Sequence, residues 1–128
     1  MSIEESIRML FIISCFVFGL SHILQPRQWL RFFKLLLQHG YNGVFINGFI
    51  NLSMGLLIVS FHNIWNGLPV VLTVLGWVSI IKAAIAFCLP SISIKGFWKV
   101  EKDNWKMFVW AGMVLCLLGF TILLTFFI

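Results

Sequence analysis

Four apolar runs, each about as long as a bilayer is thick, decide what this chain can become: residues 7–24, 41–61, 69–89 and 107–128. A helix needs about 20 mostly apolar residues to cross the hydrocarbon core. One small soluble core is the competing destination, and it lacks the capacity. In 128 residues the chain carries 61% hydrophobic and only 10% charged residues, with 14 Phe and 6 Trp, far from the globular norm, and a chain this short has one modest core in which to hide them. The expected fold class is all-α: an integral membrane four-helix bundle, one four-span transmembrane domain over residues 1–128, with amphipathic basic connectors lying in the membrane plane.

The first run resembles a secretory leader only in hydropathy. Glu4 and Glu5 stand where a leader needs positive charge, and no small-x-small cleavage site follows, so it is read as a retained span. Cys15, Cys88 and Cys116 all fall inside apolar runs and form no CxxC pair. They read as small buried hydrophobes, neither redox motif nor zinc site.

The connectors set the orientation. Arg27, Arg31 and Lys34 lie between the first and second runs, and Lys95, Lys99, Lys102 and Lys106 between the third and fourth; the segment "HNIWNGL" between the second and third has no Lys or Arg. Seven basic residues thus face Arg8 alone across the membrane, and the positive-inside rule puts the basic side in the cytoplasm and both termini outside it. Arg27, Arg31, Lys34 and Gln38 recur at i, i+4, i+7 and i+11, one polar stripe on a helix whose other faces carry Trp29, Leu30, Phe32, Phe33, Leu36 and Leu37. Lys95, Lys99, Lys102 and Lys106 repeat the spacing, on a segment weakened by Gly96, Asp103 and Asn104. Such helices suit the headgroup layer, with anionic lipid headgroups as partners; a pair of solvated loops obeying topology is the plainer account. Pro26 and Pro90 begin the two connectors, which suggests a parallel repeat of 7–61 on 69–128.

Candidate helix seams are marked by small and polar residues: Gly43, Asn47, Asn51 and Gly55 in the second run; Thr73, Gly76, Ser79, Ala83 and Ala86 in the third; Gly112, Cys116 and Gly119 in the fourth; Cys15, Gly19 and His22 in the first. Lys82 borders the third of these. Eight residues before Pro90, it lies roughly 12 Å from the end of its helix, and Asn47 lies roughly 9 Å in from the same side. The expected polar site therefore groups Lys82, Asn47, Asn51 and His22. A lysine snorkelling alone to lipid phosphate is the alternative.

No catalytic set is apparent. The acids Glu4, Glu5, Glu101 and Asp103 all lie outside the runs, no Ser-His-Asp set or glycine-rich phosphate loop occurs, and His22, His39 and His62 are spread over both sides, so no metal and no cofactor is expected. Nor is a nucleic-acid partner.

The stretch from Phe61 to Pro90, with Phe61, His62, Asn63 and Trp65 followed by Gly76-Trp77, Lys82-Ala83 and Pro90, resembles a family of uncharacterised small bacterial inner-membrane proteins that carry F-H-N-x-W, G-W, K-[GA] and a closing proline. Members often have K-G where this chain has Lys82-Ala83, a departure that would loosen a close helix contact. The match spans about a quarter of the chain. The resemblance implies an inner-membrane location and makes Lys82 and the His62-Asn63-Trp65 loop recurrent features, with no activity to carry over; the plain account of that loop is an interfacial turn with Trp65 in the aromatic belt. The expected function is that of a non-enzymatic accessory or interaction protein of the inner membrane, with a second copy or another membrane protein as partner. An oligomeric transporter or channel component for a small anion or lipid is the alternative.

Overall fold

The computed structural model describes residues 1–97, 100 and 102–127 and, among these, consists of helices joined by short turns. They are α1 (Ile3–Leu24), α2 (Pro26–Gln38), α3 (Tyr41–Phe61), α4 (Val70–Cys88), α5 (Pro90–Lys95) and α6 (Lys106–Leu124). Four of them, α1, α3, α4 and α6, are long and apolar enough to cross a membrane.

Local chemistry sets the ends. Helix α1 starts four residues earlier than its hydropathy suggests because Ser2 caps it, accepting at 3.1 Å from the Glu5 N–H, while Glu4 and Glu5 complement the dipole in the first turn. Both α2 and α5 begin at a proline, whose fixed φ suits the first helical position. Gly40, at φ +59°, then turns the chain from α2 into α3.

The spans pair as two antiparallel hairpins, α1 with α6 and α3 with α4, and glycines set the separation. A Cβ on Gly112 would lie 2.6 Å from the Gly19 carbonyl oxygen, and one on Gly55 would lie 2.8 Å from the Gly76 carbonyl oxygen. Such close approach is what lets apolar helices associate when lipid supplies no hydrophobic drive. In the second run the seam against α4 is Gly48, Gly55 and Ile58, all buried, while Asn47 and Asn51 are half-buried beside it.

Between hairpins the contact is thinner and sits at the two ends. Away from the basic connectors, Ile7, Phe11, Ile12, Ile58, Leu72 and Ile122 form one core cluster from all four spans; at the connector end Leu30, Val100 and Phe108 form another, with Phe33, Phe97 and Trp105 packed on it. Midway an apolar cavity of about 610 Å³ separates the hairpins, with Phe11, Phe18, Phe49, Met54 and Leu75 in its wall. Outward-facing side chains are large and apolar, Trp110 at 68% and Leu117 at 66% exposure among them, a surface suited to lipid.

The first connector matches its pattern: on α2, Arg27 and Arg31 are exposed while Leu30 and Leu36 are buried. The second does not. Helix α5 stops at Lys95 with Gly96 as its C-cap, and Asp103, at φ +59°, turns the chain before α6. Lys95, Lys102 and Lys106 therefore lie on a helix end, a turn and the start of α6, not on one helical stripe, and Lys99 lies outside the described residues. The cysteines also part company: Cys15 is buried, Cys116 half-buried and Cys88 exposed.

Candidate functional site

Lys82 and Asn47 line one cavity of about 340 Å³ at the connector end. Helix α4 brings Lys82, Ile85 and Ala86; α3 brings Asn47; the second connector brings Ser93, Gly96, Phe97 and Val100; Phe33, Met107 and Phe108 close the wall. Among the described lining residues no side chain is acidic, so the Lys82 ammonium is the one formal charge there. Its stem is apolar, and the residue is exposed. An ammonium beside an amide and a hydroxyl, with aromatic and aliphatic walls, offers donors to an anion and contact to an apolar body.

The other two residues expected here are placed elsewhere. His22 stacks on Trp29, ring centroids 4.1 Å apart, and its Nδ1 lies 2.6 Å from the Phe18 carbonyl oxygen. Trp29 donates from Nε1 to Ser21 Oγ at 2.8 Å. Asn51 donates from Nδ2 to the Asn47 carbonyl at 2.9 Å, along its own helix. Depth along each span was readable in the sequence; the rotation that turns His22 and Asn51 away from the cavity was not. Ser93, Phe97 and Phe108 are among the lining residues that sequence reasoning missed.

Two basic residues of the first connector, Arg27 and Lys34, are tied to the second. Arg27 lies over the Trp105 ring, 5.0 Å from its centroid, and Lys34 pairs with Asp103. These contacts lock α2 to the segment before α6, beneath the cavity.

At the far end His62 is fully buried. Arg8 donates from Nη1 to His62 Nε2 at 3.4 Å, so the imidazole carries its proton on Nδ1 and donates to Thr73 Oγ1 at 3.2 Å. Thr73 Oγ1 accepts from the Ile64 N–H at 3.1 Å and donates to the His62 carbonyl at 3.2 Å. The Arg8 guanidinium also lies over Phe126, 5.3 Å from the ring centroid. Arg8 thereby joins the two hairpins through His62. In the adjoining loop Trp65 is exposed and donates to Asn63 Oδ1 at 2.9 Å. Burial holds the His62 imidazole below its ordinary range, with the Arg8 charge pushing the same way and a backbone hydrogen bond and Glu4 opposing.

No group of three or more metal-ligating side chains occurs among the described residues. Neither a family model, a curated protein nor a solved structure matches this chain.

Proposed function

We propose that this chain is a non-enzymatic accessory protein of the cell inner membrane, crossing it four times with both termini outside the cytoplasm, and that it acts by binding at the Lys82–Asn47 cavity. The observation that carries this reading is the single lysine set in an apolar-walled cavity with an amide and no neighbouring carboxylate, thiol or imidazole among the described lining residues. Those groups support recognition of an anion and offer no acid–base pair for turnover. Orientation is supported by the seven Lys and Arg residues of the two connectors against Arg8, and the inner membrane by the resemblance of the Phe61–Pro90 stretch. Small-residue seams are spent inside the hairpins, so a partner would be met through the cavity or the connectors.

Purification in mild detergent tests the reading. Wild type should carry a stoichiometric lipid or protein that the Lys82→Met, Asn47→Leu variant loses while eluting as the same folded species; identical cargo on both sinks it. Reporter fusions at either terminus test the orientation, with cytoplasmic signals at both ends as the contrary result.

An oligomeric carrier of a small anion or lipid is the second reading, favoured by the 610 Å³ apolar opening between the hairpins. Four spans enclose little pathway alone, so a strictly monomeric mass in nanodiscs would remove it.

A further inference from the structure

A step of 64 residues carries Pro26 onto Pro90, and the same step superposes the helix contacts. Gly112 sits against His22 and Ile23 as Gly48 sits against Ala86 and Phe87, and Gly119 sits against Phe16 as Gly55 sits against Ile80. Buried positions follow: Cys15 and Ser79, Gly19 and Ala83, Ile58 and Ile122. The α1–α6 hairpin is thus built in the register of the α4–α3 hairpin, and each half of the chain has one elbow where a span meets a proline-started helix.

The two elbows are lined differently. In the first, Phe18, His22, Trp29 and Phe32 crowd together: His22 stacks on Trp29, and Phe18 and Phe32 meet the indole edge-on at 6.0 and 5.8 Å. On the outer side of the stack lies a more open recess of about 380 Å³ over Ser21, Gln25 and Gln28, with Trp29 and Phe32 in its wall and no charged side chain among its described lining residues. At the equivalent positions the second elbow has Lys82, Ala86, Ser93 and Gly96, and all four line the 340 Å³ cavity. Its third polar group, Asn47, stands where the other half has Ala111. Four ring-bearing positions of one elbow are thus a lysine and three small residues in the other, so the charge and lining of this cavity are properties of these residues and not of the fold.

We propose that the second elbow is a binding site for one anionic phospholipid, its phosphate held by Lys82 with Asn47 and Ser93 as further donors. This rests on the reading that the cavity is where the protein binds. Among the described lining residues one ammonium with two neutral donors matches one phosphodiester charge, and such charge-assisted contacts are stronger than neutral ones. A free phosphate would leave the aromatic walls without a role. A lipid uses them, and Val74, Trp77, Val78 and Ile81 of α4, all exposed toward mid-bilayer from Lys82, provide the surface for its chains. The exposed Lys95 and Arg31 at the same end raise the local anion concentration.

Delipidated full-length protein in neutral detergent, titrated with dioleoylphosphatidylglycerol and read by native mass spectrometry, decides the matter. Wild type should retain one lipid per chain. Lys82→Met should weaken retention about tenfold or more, while Lys82→Arg keeps it. Ser93→Trp, which fills the cavity and leaves Lys82 in place, should lose it too, whereas Phe18→Lys on the aromatic elbow should gain no second lipid. Equal retention by wild type and Lys82→Met overturns the proposal, as does displacement of the lipid by millimolar inorganic phosphate, which would mark a soluble-anion site. A different adduct kept by wild type and lost from Lys82→Met overturns the phospholipid assignment and leaves the accessory reading standing; no adduct on any protein, with none from the cell either, removes both.

Discussion

Gly112→Ala tests how the α1–α6 hairpin is held. Its methyl would lie 2.6 Å from the Gly19 carbonyl oxygen, 2.8 Å from Ile23 Cγ1 and 2.9 Å from His22 Cβ. Carbon contacts settle at about 3.5–4.0 Å, so α6 must retreat by about an ångström, and the first obstacle is backbone, which cannot swing aside. Overpacking of this kind costs about 1–3 kcal/mol, or roughly 5- to 150-fold in the folding equilibrium. Retreat also strips dispersion contacts along the whole seam. Equilibrium unfolding in mixed micelles of rising dodecyl sulfate fraction, followed by tryptophan fluorescence, measures the loss. Ala111→Leu, one residue away and exposed, is the control. Gly48→Ala should fall between them, because its methyl would meet the Ala86 Cβ and the Phe87 ring, each at 3.1 Å, and a ring can shift. Should Gly112→Ala unfold with the control, within about 0.5 kcal/mol, close helix approach is not what joins α1 to α6.

Other expectations concern the ends. His62 is held neutral below the ordinary imidazole value of about 6.5, chiefly by burial, so the unfolded chain takes up the proton first. Stability is whole above that pH and declines as the pH drops toward the lowered value; thermal unfolding between pH 7.5 and 5 should show the slope, and His62→Gln should flatten it. Gly40→Ala has open space for its methyl but must keep φ +59° with ψ −128°, a region an L side chain rarely enters, so a loss of about 1–3 kcal/mol is expected, read in the same micelle titration. Asp103→Asn breaks the pair with Lys34, yet the carboxylate is 66% exposed. At most about 1 kcal/mol should go, and a larger drop would show that the pair anchors the connectors more firmly than its exposure allows.

How much of this was legible follows from what each signal measures. Hydropathy found the spans, and for α3 both ends, because lipid imposes its thickness on the chain. It missed the first turn of α1, where Glu4 and Glu5 are polar but well capped. The stripe on α2 was readable from spacing; its counterpart after Pro90 was readable only as a weaker helix, since the low propensity of Gly96, Asp103 and Asn104 does not say that α5 ends at Lys95 and the chain turns at Asp103. For the cavity, residue counting placed Lys82 and Asn47 at one depth and α3–α4 packing brought them to one wall. His22 lies about a turn nearer the connector than Lys82 and faces another way. Its ring partner, Trp29, belongs to a helix whose docking no single-span pattern records.

The pairing of the spans has a consequence for synthesis. Helices α3 and α4 are neighbours in the chain and find each other as soon as both have emerged. By contrast α1 waits for α6, its seam partner, while some 80 intervening residues are made, roughly 4–16 s at about 5–20 residues per second. During that interval Gly19 and Cys15 look onto lipid or onto a borrowed surface, so a membrane insertase or chaperone would meet this protein chiefly as an orphaned first helix, and crosslinks from position 15 or 19 to such a factor should vanish once the last span is released.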